Sequence, residues 1–171
     1  NKTPGHVISD RDRLLVQIAA LCHDLGHGPL SHLFDGPFLR RCGFDPQSGD
    51  RITSHEQMSQ EIAKFILESP QSQFSLRLTP EENQFVLDCI HPGSADSKSL
   101  SRPAYLYDIV SNSQSGLDVD RMEYLRRDGR TNGISFNVGR IIDKCRISDD
   151  GQKITFPASE RHTVMQLLHL R

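Results

Sequence analysis

The chain has 171 residues, a formal net charge of −2 at pH 7 and 36% hydrophobic residues. This near-neutral charge gives no general electrostatic attraction to nucleic acids or membrane surfaces, and no apolar run approaches the roughly 20 residues that span a bilayer. The opening residues NKTPGHVISDRDR lack the cationic and then apolar pattern of a signal peptide. The expected location is intracellular, in the nucleus or the cytoplasm.

The first predicted helix lies in SDRDRLLVQIAALCHDLG. Ser9 or Asp10 can cap its N-terminus, where Asp12 complements the helix dipole. Gly26 is expected to end the helix. Helical spacing predicts one buried face, which contains Leu14, Leu15, Ile18, Leu21 and Cys22.

Two further helices are predicted before the middle of the chain. One runs from about residue 54 to residue 67, with Ser54 as its cap and Gln57 at capping-box spacing. The other follows Thr79, with Pro80 in its first position. Their buried faces are predicted to contain Met58, Ile62, Phe65 and Ile66, and Phe85, Val86, Cys89 and Ile90, respectively.

The second half of the chain begins with a polar loop, HPGSADSKSLSRP, and is then predicted to form helices in AYLYDIVSN and SGLDVDRMEYLRRDG. A short helix in FNVGRIIDKC leads to a β-hairpin around Asp150 and Gly151. The last helix, SERHTVMQLLHLR, has no terminator, which indicates a fragment. The expected fold is all-α, or mainly α, in a single domain over residues 1–171 that is truncated at both ends. The four cysteines form no CxxC pair, so we expect free thiols.

Metal-binding and proton-exchanging groups are concentrated in ALCHDLGHGPLSH, residues 20–32. His23 and Asp24 adjoin at the end of an apolar helix, where both can reach one ion held just beyond it. An imidazole nitrogen with a carboxylate oxygen suits Mn, Fe, Zn or Ni. Two ligands are too few, and the best further source is Asp120 in GLDVDRMEYLRRD. The alternative is that this acidic helix start only complements the helix dipole.

Two other groups of polar residues have alternative interpretations. His27 and His32 lie on a loop, because Gly28 and Pro29 interrupt a helix, and they are either solvated or positioned to donate to a phosphate. The dipeptide HE at 55–56 lies at a predicted helix N-terminus, so it belongs either to capping or to chemistry on an anion bound there.

Several blocks occur in one order across nearly the whole chain: CHDLGHGPLSH, FDG at 34–36, HEQ at 55–57, YDIVSN at 107–112 and LDVDRMEYLRRD. Together they resemble the HD-domain phosphohydrolases, and more narrowly the eukaryotic deoxynucleoside triphosphate triphosphohydrolases that carry a SAM domain. The resemblance implies an HD-domain helical bundle, here without the C-terminal lobe of that family.

The resemblance also implies roles for individual residues. His23, Asp24 and Asp120 would hold a metal ion with a fourth ligand, a histidine on an upstream helix that the sequence does not contain. His55 would be the catalytic acid/base residue, oriented by Glu56. The substrate would be contacted by the catalytic histidines His27 and His32 and by Asp35, Arg121, Tyr124, Asp128 and Arg171.

The implied reaction is hydrolysis of deoxynucleoside triphosphates, such as dGTP, to deoxynucleoside and inorganic triphosphate. It would use one transition-metal ion (Zn, Fe or Mn), with Mg²⁺ on the substrate triphosphate. The implied partners are allosteric nucleotides (GTP or dNTP) contacted by Arg140, further copies in a homo-oligomer (dimer or tetramer), and single-stranded nucleic acid; no membrane is expected. The alternatives are another HD phosphohydrolase, such as a nucleotidase or phosphodiesterase, and a catalytically impaired module that binds nucleotides or nucleic acid.

Overall fold

The computed structural model describes residues 8–43, 54–69, 77–92, 100–131, 133 and 137–169. In these ranges the fold is mainly α with one two-stranded antiparallel sheet, as predicted. The helices are α1 (Asp10–Cys22), α2 (Leu39–Arg41), α3 (His55–Glu68), α4 (Pro80–Ile90), α5 (Val119–Thr131), α6 (Val138–Lys144) and α7 (Arg161–His169), and the strands are β1 (Arg146–Ile147) and β2 (Ile154–Thr155). A π-helical turn, Phe34–Phe38, precedes α2, and 3₁₀ turns occupy Ala104–Ile109 and Ala158–Glu160.

The chain divides into two compact units. Residues 14–94 form the N-terminal unit, and residues 1–13 with 95–171 form the C-terminal unit. No described helix is both long and apolar enough to cross a membrane. The four cysteines all lie in the described ranges and are free thiols, as expected. The expectation that both units belong to a single HD domain stays a prediction.

Helix α1 begins as predicted but ends early. Ser9 Oγ accepts a hydrogen bond from Asp12 N at 3.0 Å, which caps the first turn. The helix ends at Cys22, so the prediction that it continues to Gly26 is wrong. The backbone N–H of Gly26 instead donates to Ser59 Oγ of α3 at 2.9 Å, which places this glycine at a contact between chain segments.

Three side chains predicted to be buried are exposed. Leu21 is 80% exposed, Met58 38% and Phe65 76%. Helix α3 instead buries Ser59 and Ala63 completely. Small side chains let neighbouring backbones approach closely, so the size of a hydrophobic residue does not identify this buried face.

Both the N-terminal cap and the buried face of α4 are as predicted. Thr79 Oγ1 accepts from Glu82 N at 3.2 Å, and Glu82 Oε2 accepts from Thr79 N at 2.8 Å, which completes a capping box. Gln60 of α3 donates from Nε2 to Leu87 O at 2.8 Å and to His91 O at 3.0 Å, and so ties α3 to the end of α4. The predicted buried residues are buried: Phe85, Val86, Cys89 and Ile90.

In the C-terminal unit, the helix predicted in AYLYDIVSN forms over Ala104–Ile109 as a 3₁₀ helix. The segment is confined between Pro103 and a polar turn, and short helical runs of this kind often adopt the tighter form. The start of α5 is capped by Asp118, whose Oδ1 accepts from Arg121 N at 2.9 Å and whose Oδ2 accepts from Asn112 N at 3.0 Å.

One hydrophobic core joins the later elements of the C-terminal unit. It contains Leu117, Met122, Leu125, Val138, Ile141 and Leu167. The predicted hairpin is confirmed: β1 pairs with β2, with Arg146 opposite Thr155, and Gly151 in the connecting turn has a φ of +69°.

Candidate functional site

Two glycines of the loop after α1 are tightly packed, Gly26 against α3 and Gly28 against Phe34. A Cβ atom on Gly26 would lie 2.3 Å from His55 O, which is too close for any other residue. A Cβ atom on Gly28 would lie 2.2 Å from the Phe34 ring. Leu30 has a φ of +67°, a left-handed conformation that is uncommon outside glycine and asparagine and is often found at functional sites. The sequence of this loop therefore fits one tight path beside the first turn of α3.

Three imidazoles meet at that first turn. The His27 and His55 rings stack, with centroids 3.9 Å apart and 13° between their planes. His32 approaches both edge-on, with its ring centroid 5.2 Å from that of His27 and 5.3 Å from that of His55. His55 is the first residue of α3, and Ser54 caps the helix by accepting from Gln57 N at 3.2 Å. The three histidines predicted to be catalytic are thus brought together within the N-terminal unit.

Asp35, from the π-helical turn, joins this histidine cluster. Its Oδ2 accepts a hydrogen bond from His55 Nδ1 at 3.0 Å and lies 3.5 Å from His27 Nδ1. The three side chains are only 15–19% exposed, so the interaction is shielded from bulk water. Asp35 therefore orients the His55 ring, a role not expected from the sequence, which indicated substrate contact alone.

Glu56, the residue expected to orient His55, approaches the other ring nitrogen. Its Oε1 lies 3.3 Å from His55 Nε2. Burial by itself raises the pKa of Glu56, but hydrogen bonds from the Ser54 side chain and its own backbone, with interactions with His55 and His91, hold that pKa below its ordinary value. The carboxylate is ionised at neutral pH, so both ring nitrogens of His55 have an acidic neighbour.

His23 and Asp24 fit the metal that the resemblance implies. His23 Nδ1 donates to Ala20 O at 2.7 Å, because a carbonyl can only accept, and this leaves Nε2 as the nitrogen able to coordinate an ion. Metal-binding histidines are commonly oriented in this way. His23 Nε2 lies 3.3 Å from Asp24 Oδ1, so the two donor atoms already converge. The nitrogen and oxygen donors suit Zn, Fe or Mn.

Four predicted site residues lie on α5 of the C-terminal unit: Asp120, Arg121, Tyr124 and Asp128. Asp120 is half-buried in the first turn. Tyr124 packs against the hydrophobic core of this unit, whereas the Asp128 side chain is 58% exposed and accepts from Arg127 Nε at 3.1 Å. Exposure therefore increases from Asp120 and Tyr124 to Asp128, toward the end of the helix.

Arg121 contacts the backbone extensively. Its Nε donates to Leu167 O at 3.2 Å, and its Nη2 donates to Leu168 O at 2.9 Å. Nη1 donates to Gly116 O at 3.2 Å. Carbonyls in the last turn of a helix have no partner within the helix, so Arg121 completes the end of α7. This structural role was not expected from the sequence.

Arg140, the expected allosteric contact, is paired with a buried carboxylate. Its Nε and Nη2 donate to Glu160 Oε1 at 3.0 and 2.9 Å. The Glu160 side chain is 1% exposed and that of Arg140 58% exposed, so the guanidinium is anchored on one side and open to solvent on the other. Arg171, the last predicted substrate contact, lies outside the described residues.

Several known proteins that resemble the chain carry the same name. The chain is 39% identical over 168 residues to the deoxynucleoside triphosphate triphosphohydrolase SAMHD1 of Mus musculus, with 90% of the chain covered. It is 33% identical over 195 residues to SAMHD1 of Homo sapiens, with 99% of the chain covered. An HD domain-containing protein of Acanthamoeba polyphaga mimivirus is 34% identical over 144 residues, with 83% of the chain covered. No protein-family model matches the chain.

These relatives are much longer than the aligned region. The chain spans 25% of the mouse protein, 29% of the human protein and 28% of the mimivirus protein. Because the human match covers 99% of the chain, it includes the HD pair, the histidine loop and the LDVDRMEYLRRD segment. With this order of motifs on a mainly helical fold, the chain belongs to the SAMHD1-like group of the HD-domain family.

Proposed function

We propose that this chain forms part of a metal-dependent hydrolase that converts deoxynucleoside triphosphates to deoxynucleoside and inorganic triphosphate. The names of its relatives support this substrate class. The observation that carries the proposal is the clustering of three imidazoles and Asp35 beside the HD pair in the N-terminal unit. Such a cluster supplies both proton transfer and phosphate-binding donors.

The proposed metal ligands are His23, Asp24 and, from the motif order, Asp120. When bound, a Zn, Fe or Mn ion supplies Lewis-acid polarisation of phosphate oxygens. Mg²⁺ would accompany the triphosphate itself, because it prefers oxygen ligands and commonly binds through substrate phosphates.

His55 is the proposed proton carrier. In the reaction a water oxygen bonds to the α-phosphorus and the bond from that phosphorus to the 5′ oxygen breaks, so the 5′ oxygen must gain a proton. Because Asp35 holds Nδ1–H, Nε2 is the ring nitrogen that gives this proton, and it recovers one from the attacking water. Glu56 beside Nε2 stabilises the positively charged ring.

The remaining predicted contacts divide between phosphate and sugar. His27 and His32 would donate to phosphate oxygens. Arg121 has five N–H groups, of which three contact carbonyls, and the others would contact phosphate. Tyr124 would stack against the sugar and exclude ribose by packing beneath C2′, while Asp128 would accept from the 3′-hydroxyl.

Regulation and location follow from the same resemblance. We propose that the exposed side of Arg140 contacts an allosteric GTP or dNTP and that the complete protein forms dimers or tetramers. Binding of single-stranded nucleic acid and a nuclear or cytoplasmic location belong to the same proposal.

Analysis of the products tests the reaction directly. The intact protein incubated with dGTP is expected to release deoxyguanosine and intact triphosphate, separated by anion-exchange chromatography. Release of orthophosphate would indicate a nucleotidase, and turnover of a diester substrate alone would indicate a phosphodiesterase. A metal-loaded protein that yields no product would indicate a binding module.

The roles of His55 and Asp120 are separable in variants. His55→Ala is expected to lower kcat by about 10²–10⁴-fold, the usual contribution of a general acid or base, without loss of the metal retained in the absence of added zinc. Asp120→Ala is expected to lose both activity and this metal. Metal content by mass spectrometry and dGTP turnover are the two measurements. Equal metal loss in the two variants would contradict the assignment.

A further inference from the structure

The histidine cluster has the donor set of a second metal site. His27, His32, Asp35 and His55 each offer one ligand atom, and these four atoms lie within 4.8 Å of one another. Three imidazoles with one carboxylate form a four-ligand set that favours Zn²⁺ over the oxygen-preferring ions Mg²⁺ and Ca²⁺. All four residues belong to the N-terminal unit.

The distances within the cluster are close to those of tetrahedral coordination. Ligands about 2.0–2.2 Å from an ion at tetrahedral angles are about 3.4 Å from one another. The distance from Asp35 Oδ2 to His55 Nδ1 is 3.0 Å, and that from Asp35 Oδ2 to His27 Nδ1 is 3.5 Å. His32 is exposed, so rotation of its side chain can bring its ring closer.

One ring nitrogen of the histidine cluster lacks a hydrogen-bond partner among the described residues. This atom is His27 Nδ1, and it is buried. A buried polar atom without a partner is unfavourable, and coordination of an ion would satisfy it. The same ion would replace the proton that His55 Nδ1 shares with Asp35.

We propose that His27, His32, Asp35 and His55 form a zinc site that lies beside the HD pair, does not use it as a ligand and is filled when Zn²⁺ is supplied. Zn²⁺ in this site takes up imidazole lone pairs that would otherwise carry protons, and it thereby removes N–H groups that could donate to phosphate. It therefore inhibits turnover, a consequence that rests on the proposed function, whereas the zinc site itself does not.

The test counts bound Zn²⁺ in the intact protein by equilibrium dialysis. His32→Ala removes an exposed ligand of the cluster, and Asp120→Ala removes a proposed ligand of the HD metal. The double variant combines them. His162→Ala, at an exposed histidine in the C-terminal unit, is the matched control for loss of any imidazole. Circular dichroism checks that each variant is folded.

The expected counts are two ions for the wild type and the control, one for each single variant, and none for the double variant. A His32→Ala protein that binds as many ions as the wild type would overturn the proposal. Loss confined to Asp120→Ala would support the HD metal alone, and loss confined to His32→Ala would support the cluster alone. Failure of the zinc site and failure of the proposed HD metal are therefore distinguishable.

Cobalt provides an independent measurement of geometry. Four-coordinate Co²⁺ absorbs visible light far more strongly than six-coordinate Co²⁺. In the Asp120→Ala protein, added Co²⁺ is expected to give the intense four-coordinate spectrum, and further substitution of His32 by Ala should remove it. A weak spectrum unchanged by the second substitution would contradict the site.

Discussion

The absence of a side chain on Gly26 allows the loop after α1 to approach α3 closely. The Gly26 N–H donates to Ser59 Oγ at 2.9 Å, and the position of a Cβ atom is blocked by His55 O at 2.3 Å and Ser59 N at 2.4 Å. Both obstacles are backbone, which cannot rotate away. The placement of the His55 ring therefore depends on a residue with no chemistry of its own.

Gly26→Ala is expected to lower the free energy of unfolding by at least about 1–3 kcal/mol, the usual cost of overpacking, and to impair turnover. Gly139→Ala is the matched control, because its Cβ would meet only Asn137 Oδ1 at 3.6 Å and helix α6 gains from alanine. Denaturant unfolding of both variants measures the difference. A Gly26→Ala protein as stable as the wild type would show that the loop does not need this close contact.

Arg121 can be tested for its structural role separately from any nucleotide. Arg121→Met removes three hydrogen bonds to carbonyls, two of them in α7, and is expected to lower the free energy of unfolding by about 1–3 kcal/mol without nucleotide present. Arg121→Lys keeps the charge but not the forked donor geometry, so it should recover only part of this loss. Unchanged stability of Arg121→Met would mean that the residue serves the ligand alone.

The sequence identified the histidines that cluster in the structure, but it did not predict the partners of the site residues. The histidines were found because their type and density are unusual in one short segment. The contact between Asp35 and His55 joins residues 20 positions apart, which no local spacing rule encodes. The partner of Arg140 was missed for the same reason, since Glu160 reads as an ordinary surface carboxylate until the fold buries it.

Among the helices, the N-terminal caps were predicted correctly, whereas the buried faces were predicted only in part. The caps at Ser54 and Thr79 form as predicted, because capping depends on residues three positions apart. The face of α4 was also correct, since all of its large hydrophobic residues are buried. The face of α3 was wrong at Met58 and Phe65, because this helix buries small residues that a hydrophobicity pattern does not distinguish.

The contribution of the capping box of α4 to stability can be tested by substitution of Thr79. Thr79→Ala removes the acceptor for Glu82 N and is expected to lower the free energy of unfolding by about 1 kcal/mol. Thr79→Ser keeps the hydroxyl and should restore most of the stability. Thermal unfolding followed by circular dichroism measures both variants. An alanine variant that matches the serine variant would show that the cap does not limit the stability of α4.

The division of the whole chain into units could not be predicted from the sequence. Residues 1–13 belong with residues 95–171, and a contact from Arg102 Nε to Asp12 Oδ1 at 2.6 Å joins positions 90 residues apart. Helical periodicity reports on neighbours within two turns and says nothing about such pairings. The sequence therefore predicted Asp12 only as a complement to the dipole of α1, whereas the fold also makes it an ion-pair partner.

The core of the C-terminal unit tests whether its separate segments fold together. Leu167 of α7 is fully buried with Leu117 and Ile141, so Leu167→Ala should cost about 2–5 kcal/mol. Because α5, α6 and α7 share this core, their amides should lose protection together in hydrogen exchange measured by mass spectrometry. Met165→Ala, on the same helix but 42% exposed in the wild type, should change protection little. Loss of protection in α7 alone would show that the core is not one cooperative structure.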